Sequence, residues 1–298
     1  MNLGSERKRE RVAGPVSRVG VVVNTTKKSI GGVVDQLTSV VSGHGAEVLV
    51  HGDPGDGVAR DLVSTDELVS DSQILIALGG DGTILRAAQM VREVGTPILG
   101  VNLGRLGFLA DSAPGDLEEA IGRLIQGSYQ VDDRLALEAS VGDKTAFSLN
   151  EIVIEKGVLA RLIQLKTWIG DVPVSSFWGN GLIVSTPTGS TSYSLSAGGP
   201  VLHPSLDSLV ITPICPHSLS QRPLVVPADQ TVYVQVVAEH ADIILTADGQ
   251  TVHSVSPDDR VSIKRADKPV RLIDLQGLSF YELLRRKLDW NVVSRKDD

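Results

Sequence analysis

The chain has little of what marks a secreted, membrane-spanning or nucleic-acid-binding protein. Cys215 is its one cysteine in 298 residues, which excludes an internal disulfide and a zinc site of clustered cysteines. No apolar run approaches the about 18 residues that a membrane helix needs. Aromatic residues make up 4% of the chain and acidic residues outnumber basic ones by 36 to 28. We therefore expect no nucleic-acid-binding surface and no membrane contact.

The start of the chain is polar and basic and lacks the apolar segment of a secretory signal. Together with the single cysteine, this predicts a cytoplasmic location. Hydrophobic residues make up 42% of the chain, which suffices for one large or two medium domains.

Strand and helix patterns alternate over residues 15–130. Apolar runs at 19–23, 48–50, 74–78 and 97–101 predict strands, and the segments between them have helical spacing. A further helix is expected after Ser112, which suits an N-cap position. The alternation predicts a Rossmann-like α/β domain with a parallel sheet, in which ligands bind at the carboxyl ends of the strands.

Over residues 131–276 the apolar residues follow a period of two instead. The Gly-Asp pair at 170–171 and the Asp-Gly pair at 248–249 are typical of hairpin turns between such strands. This part of the chain predicts an antiparallel β-sandwich domain. Helical spacing returns at Phe280, Leu283, Leu284 and Leu288. We expect residues 277–298 to form a terminal helix that packs back on the first domain.

The most informative stretch is the Gly-Gly-Asp-Gly-Thr sequence of residues 79–83, directly after the third predicted strand. Glycines let backbone N–H groups approach a ligand, and the N-terminus of the following helix favours phosphate. Asp81 suits such a loop if it accepts a proton from a hydroxyl, or acts through Mg²⁺ bound to the phosphates. The loop thus indicates phosphoryl transfer. A plain tight turn with Asp81 as helix cap is an equal alternative for the pentapeptide alone.

Two further segments carry candidate ligand groups. Residues 185–199 hold a dense run of hydroxyls and glycines, with Tyr193 placed to stack on a purine. Asn150 and Glu151 stand side by side among apolar residues of a predicted strand, where their donors and acceptors suit a vicinal diol. Taken alone, each segment favours a plainer interpretation: a polar surface loop with Tyr193 in the core, and a half-exposed pair of strand residues.

These segments, in this order and at these intervals, resemble the NAD kinase family, which uses ATP or polyphosphate as phosphoryl donor. The resemblance extends from about Arg18 to Val293. Its motifs lie at residues 79–83, 102–108, 150–151, 181–200, 211–223 and 248–250.

The resemblance implies a reaction and a set of binding residues. Members transfer the γ-phosphoryl group of ATP, with Mg²⁺, to the 2′-hydroxyl of the adenosine ribose of NAD, and Asp81 would accept the proton. The implied phosphate-binding residues are Gly79, Gly80, Gly82, Thr83 and Arg86. The implied NAD-binding residues are Asp81, Gly82, Phe108, Asn150, Glu151, Arg161, Asn180, Thr188, Thr191, Ser192, Tyr193, Ser194, Leu195, Ser196 and Gln250. Homodimers or homotetramers are implied as well.

The chain departs from the family pattern at four places, the first of them the end of the first predicted strand, where Asn24 is followed by Thr25 and members often have Pro. Asn180 stands where Asp is usual, Trp178 where some members have a basic residue, and Ser192 where Ala is usual. In relatives the loop of Asn180 lies against the nicotinamide side of the ligand, so preference between NAD and NADH is left open. Two other functions also stay open at this point. One is a diacylglycerol- or sphingosine-type lipid kinase, although no basic amphipathic helix is present, and the other is a non-catalytic NAD(H)- or NADP-binding regulator.

Overall fold

The computed structural model describes residues 15–23, 30–52, 62–104, 107–110, 112, 114–157, 162–237, 242–257, 259–275 and 277–290. The chain divides into two compact units, one of residues 1–133 and 271–298 and the other of residues 134–270. No helix in these ranges is long and apolar enough to cross a membrane.

The first unit begins with alternating strands and helices. In chain order these are β1 (Arg18–Val23), α1 (Ile30–Gly43), β2 (Glu47–His51), α2 (Thr65–Asp71), β3 (Ile74–Gly79), α3 (Asp81–Met90), β4 (Ile98–Asn102), α4 (Leu117–Ile125) and β5 (Gln130–Arg134). The second unit follows with β6 (Leu137–Val141), β7 (Lys144–Ser148), β8 (Glu151–Lys156), β9 (Ile163–Ile169), β10 (Val172–Gly179), β11 (Gly181–Ser185), α5 (Tyr193–Ser196), β12 (Ser208–Ile214), β13 (Leu224–Pro227), β14 (Val232–Val237), β15 (Ile243–Ala247), β16 (Thr251–Val255) and β17 (Arg260–Arg265). The chain then returns to the first unit with β18 (Val270–Asp274) and α6 (Phe280–Lys287).

The first unit is built on a six-stranded sheet in the order β2-β1-β3-β4-β18-β5. The pairings of β1 with β2, β1 with β3, β3 with β4, and β4 with β18 are parallel. All residues of β3 and β4 are buried, as expected for a sheet covered on both faces. The predicted α/β architecture is confirmed.

Strand β18 was not predicted as part of this sheet. Its apolar residues Val270 and Leu272 are two positions apart, as in the antiparallel strands that precede it in the sequence. It nevertheless pairs in parallel with β4, and the guanidinium of Arg123 in α4 donates to the Leu275 carbonyl at 2.7 Å just after it. The register of Leu272 opposite Ile98 therefore comes from packing in the first unit, which local sequence does not reveal.

The second unit consists of two six-stranded sheets in the orders β10-β9-β14-β17-β6-β7 and β13-β12-β11-β8-β15-β16. Neighbouring strands pair antiparallel, as in β9 with β10 and β8 with β11. One hydrophobic core contains inward residues from both sheets, including Leu165 and Val234 of the first and Ile154 and Val184 of the second. The predicted antiparallel β-sandwich is confirmed, and so is the hairpin turn at Gly170-Asp171 between β9 and β10.

The terminal helix α6 is also confirmed. Ser279 and Glu282 form a reciprocal capping box, and Arg285, Arg286 and Lys287 occupy the last turn. The prediction for Ser112 is wrong, since α4 follows a short 3₁₀ turn at Pro114–Asp116 and has Asp116 at its N-cap. Ser112 instead bridges Val101, donating its N–H to Gly100 and accepting from Asn102, because the chain here runs beside β4.

Candidate functional site

The glycine loop lies at the carboxyl end of β3, as predicted. Gly79 ends the strand, Gly80 is the N-cap residue, and α3 begins at Asp81. A Cβ on Gly80 or Gly82 would meet no atom within 4 Å, so the backbone of this turn is bare on the outside. The N-terminus of a ten-residue helix with a bare backbone is suited to an anion.

Asp81 does not cap α3. Its carboxylate turns to the segment that follows the next strand, accepting from the N–H of Phe108 at 2.9 Å and of Leu109 at 3.2 Å. The alternative in which Asp81 serves as a helix cap is therefore wrong. Each oxygen keeps further lone-pair capacity after these two bonds, so the carboxylate is fixed in place and still able to accept a hydrogen.

Two contacts stabilise this arrangement. Gly107 lies directly against the Asp81 carboxylate, so that a Cβ at this position would overlap its oxygens. The ammonium of Lys287 in α6 lies 5.4 Å from the ring centroid of Phe108, within the range of a cation–π contact. The C-terminal helix thus places a positive charge beside the segment that holds Asp81.

In the second unit, Asn150 and Glu151 stand where the chain crosses from one sheet of the sandwich to the other. The prediction that they lie in the interior of a strand is wrong, because β7 ends at Ser148 and β8 begins at Glu151. Both residues are buried, with 8% and 6% of their surface exposed. Buried polar groups at a bend need partners, and these partners come from the turn between β15 and β16.

Asp248 supplies those partners. Its carboxylate accepts from the Ser148 hydroxyl at 2.6 Å and from the N–H groups of Leu149, Asn150 and Glu151 at 2.9, 2.8 and 3.1 Å. The Asp248 N–H in turn donates to the Glu151 carbonyl at 3.0 Å. One side chain thereby fixes the backbone of three consecutive residues and the hydroxyl of the residue before them.

The electrostatics of this cluster are unusual. Burial first, and the Asp248 carboxylate second, raise the pKa of Glu151 to about 8, against the opposing effect of hydrogen bonds from Ser192 and the Tyr193 N–H. The Ser192 hydroxyl contacts Oε1 at 3.2 Å, whereas the buried Oε2 has no hydrogen-bond partner among the described residues. Burial also raises the pKa of Asp248, but its four hydrogen bonds act in the other direction and favour its charged form.

The hydroxyl-rich segment packs on the same bend. Gly189 approaches the Asn150 peptide so closely that a Cβ would overlap it. The Thr186 hydroxyl donates to the Leu149 carbonyl at 2.7 Å and accepts from the Gly189 N–H at 3.0 Å. Tyr193 is 39% exposed, so the interpretation that places it in the core is wrong.

The structure brings several of the predicted NAD-binding residues together around this bend and sets others apart. The Ser192 hydroxyl donates to the Glu151 carboxylate, whereas the Thr191 hydroxyl donates to the Thr188 carbonyl within the same segment. Ser194 is fully buried and its hydroxyl pairs with Thr212 at 2.8 Å. Leu195 and Thr191 are partly buried, Thr188 is buried, and Ser196 and Gln250 are exposed.

Three predicted residues need separate mention. Arg161 lies outside the described residues. Asn180 joins β10 to β11, and its backbone bonds to Ile214 and Lys156 at 2.9 Å each. Arg86 is partly buried in α3, one turn beyond Asp81.

Sequence reasoning missed the positioning role of Asp248, which it treated as a turn residue. The residue does form that turn, with φ of 51° at Asp248 and 65° at Gly249. Its carboxylate also accepts hydrogen bonds from residues about 100 positions earlier in the chain, and no local sequence pattern predicts such a contact. Lys287 was missed for the same reason.

Comparisons with known proteins agree with this architecture. Residues 19–129 match the ATP-NAD kinase N-terminal domain, and residues 149–275 match the ATP-NAD kinase C-terminal domain. The NAD kinase of Moorella thermoacetica is 41% identical over 294 residues, covering 95% of this chain and 92% of that protein. The NAD kinase of Symbiobacterium thermophilum is 39% identical, covering 91% and 98%.

Solved structures show the same fold. An NAD kinase from Archaeoglobus fulgidus in complex with ATP superposes with a TM-score of 0.76 at 27% identity, covering 91% of this chain and 98% of that one. Yeast NADH kinase complexed with NADH has a TM-score of 0.85 at 22% identity, covering 95% and 90%, and supports the fold alone. The extent of these matches shows that the chain belongs to the NAD kinase family of phosphotransferases.

Proposed function

We propose that the chain transfers the γ-phosphoryl group of ATP to the 2′-hydroxyl of the adenosine ribose of NAD, giving NADP and ADP. The observation that carries this proposal is the fixed position of the Asp81 carboxylate within a glycine loop at a helix N-terminus. A loop that only stored a phosphate would gain nothing from a carboxylate held there.

Asp81 acts as the proton acceptor in this proposal. A ribose hydroxyl is a weak nucleophile until a base takes its proton during the attack. The two N–H groups of Phe108 and Leu109 hold the carboxylate in one orientation, which favours in-line alignment of hydroxyl and phosphorus. Proton transfer of this kind contributes about 100- to 10,000-fold to a rate.

The donor phosphates lie on the loop formed by Gly79, Gly80, Gly82 and Thr83, and Arg86, one turn into α3, is the cation that pairs with them. Among the described residues, no three His, Cys, Asp or Glu side chains come together as a metal site. A Mg²⁺ ion held by the donor phosphates would neutralise their charge during transfer. The complex of the Archaeoglobus fulgidus relative with ATP supports ATP as the donor.

The adenosine of NAD is held by the second unit. Glu151 and Asn150 receive the ribose hydroxyls at the bend that Asp248 fixes, and the exposed ring of Tyr193 packs on the adenine. The family resemblance assigns further NAD contacts to Phe108, Arg161, Gln250 and the residues from Thr188 to Ser196. The relatives named NAD kinase, at 41% and 39% identity, support a dinucleotide as acceptor.

A homodimer or homotetramer is part of the proposal. Apolar side chains are exposed on the edge strands of both sheets of the sandwich, with Trp178 at 50% and Val172 at 66% on β10, and Val225 at 44% on β13. Such exposed apolar groups are typical of surfaces that associate. Sedimentation analysis of the wild type beside Trp178→Glu tests it, and a monomeric wild type would exclude it. We further propose a cytoplasmic location, which the single cysteine of the chain favours.

A coupled assay tests the reaction. The purified chain is incubated with Mg²⁺-ATP and NAD, and NADP is detected with an NADP-dependent dehydrogenase. Asp81→Asn should lower kcat at least about 100-fold, while Asp229→Asn, an exposed loop position, should not change it. NAD binding without turnover would favour the regulator, and phosphorylation of a lipid alone would favour the lipid kinase.

A further inference from the structure

Glu151, which is buried, and Asp248, which is partly buried, form a pair of carboxyl groups. Among the described residues, Asp248 is the one whose charge acts on Glu151. The groups next to Glu151 are Asp248 from the β15–β16 turn, Ser192 at the N-cap of α5, Tyr193 in its first turn, and Ser185, which pairs with it from β11. Apart from Asp248, the only titratable one among them is the phenol of Tyr193. Among the residues that the structure describes, none places a compensating cation beside Glu151.

Two neighbouring carboxyl groups in such a place share one negative charge, since ionising both is costly. The hydrogen bonds decide which group carries it. Asp248 accepts from four donors, whereas Glu151 accepts at Oε1 and has a buried Oε2 without a partner. The charge therefore lies on Asp248 and the proton on Oε2 of Glu151.

We propose that NAD binding expels this proton, and that Asp248 is the positioning residue that both fixes the Asn150–Glu151 bend and keeps Glu151 protonated until the ribose arrives. The proposal rests on the ribose contact of Glu151 in the proposed function. The proton leaves to the solvent, and the hydroxyls of the ribose take its place as hydrogen-bond donors to the carboxylate.

The chemistry of the ligand gives the direction. A vicinal diol brings two O–H donors, and a protonated carboxyl can receive them only poorly because Oε2 already carries a hydrogen. Hydrogen bonds to an ionised carboxylate are about twice as strong as neutral ones. NAD binding should consequently tighten as the pH rises toward the pKa of Glu151, which burial and Asp248 place at about 8.

Titration calorimetry with the full chain and NAD measures this linkage. NAD is the right probe because, unlike NADP, it has no phosphate monoester that titrates near neutral pH. Two buffers of different ionisation enthalpy, neither of them phosphate, give the number of protons released. We expect about one proton per NAD bound well below the pKa of Glu151, and a Kd that falls by up to about tenfold per pH unit until that pKa is reached.

Three variants complete the experiment. Glu151→Gln should bind NAD more weakly, with no proton release and no change over the same pH range. Asp248→Asn removes the neighbouring charge and keeps most of the acceptors, and Asn tolerates the positive φ of this position. It should shift proton release to lower pH, whereas Asp171→Asn, in the exposed hairpin turn between β9 and β10, should leave it unchanged.

The outcomes separate this inference from the ribose contact on which it rests. If Glu151→Gln binds NAD as tightly as the wild type at every pH, Glu151 does not contact the ribose and both are wrong. If the variant binds weakly but the wild type releases no proton and has a constant Kd, only the proton linkage is overturned. Should Asp248→Asn fail to fold, the wild type and Glu151→Gln still decide.

Discussion

Gly107 lies against the carboxylate of Asp81 with no room for a side chain between them. The next two N–H groups along the chain, those of Phe108 and Leu109, donate to that carboxylate. The glycine is therefore required by the close approach of a backbone to a side chain, and not by an unusual φ angle. The contact couples the segment after β4 to the first residue of α3.

Gly107→Ala is expected to displace the Asp81 carboxylate. A displacement of about 1 Å at a proton acceptor costs about 100-fold in rate, so kcat in the coupled NADP assay should fall by that order. The overpacking should also lower the free energy of unfolding by about 1 to 3 kcal/mol. Steady-state kinetics and urea denaturation measure the two effects.

Gly115→Ala is the matched control in the same unit, because a Cβ there would meet no atom within 4 Å. It should leave kcat unchanged. Equal kcat values for the wild type and Gly107→Ala would show that the position of Asp81 does not limit catalysis.

The fold could be predicted from sequence to the extent that local patterns determined it. The apolar runs of β3 and β4 are buried on both faces, and the period of two in β14 produces its alternating burial. The return of β18 to the first sheet could not be predicted, because its local pattern fits either unit and only packing selects one. Ser112 was misjudged because a residue suited to an N-cap is equally suited to a bridge beside a strand.

The site shows the same division between local and long-range information. The glycine loop could be placed because strand, turn and helix are consecutive in the chain. The contact of Asp81 with residues 108–109 and that of Asp248 with residues 148–151 join segments that are far apart in sequence. When a side chain bonds to backbone groups that are distant in sequence, the residues next to it in the chain do not reveal the contact.

Asn180→Asp should increase the preference for NAD over NADH. The resemblance places this loop at the nicotinamide side, and the oxidised ring is cationic while the reduced ring is neutral. An added carboxylate near a cation contributes about 0.2 to 1 kcal/mol when partly exposed, or up to about fivefold in relative kcat/KM. Initial rates with both dinucleotides measure the ratio, and an unchanged or lowered ratio would place Asn180 away from the nicotinamide.

Ser279→Ala should destabilise α6. Ser279 accepts from the Glu282 N–H at 3.2 Å, and the Glu282 carboxylate accepts from the Ser279 N–H at 3.2 Å. Loss of an N-cap costs about 1 kcal/mol. Because α6 carries the Lys287 charge to Phe108, amide exchange should accelerate in α6 and at the Phe108 N–H. Ser279→Asp, which retains a cap, should restore the protection, and failure to restore it would assign the effect to something other than capping.

Glu151→Gln should stabilise the second unit in a pH-dependent manner. The pKa of Glu151 is raised from 4.5 to about 8 in the folded protein, so the folded state binds the proton more tightly than the unfolded state. The stability that this proton contributes is fully present below about pH 4.5 and is lost as the pH rises to about 8, at up to about 1.4 kcal/mol per pH unit. Glutamine cannot ionise, so the free energy of unfolding of the variant should rise relative to that of the wild type between about pH 4.5 and about pH 8, by a few kcal/mol in total. Above this range the difference should be constant.

Tryptophan fluorescence during urea denaturation reports on the second unit once Trp290 is replaced by Phe, since Trp168 and Trp178 both lie there. A difference in stability that did not change between about pH 5 and about pH 8 would mean that Glu151 ionises in the folded protein as it does in the unfolded chain.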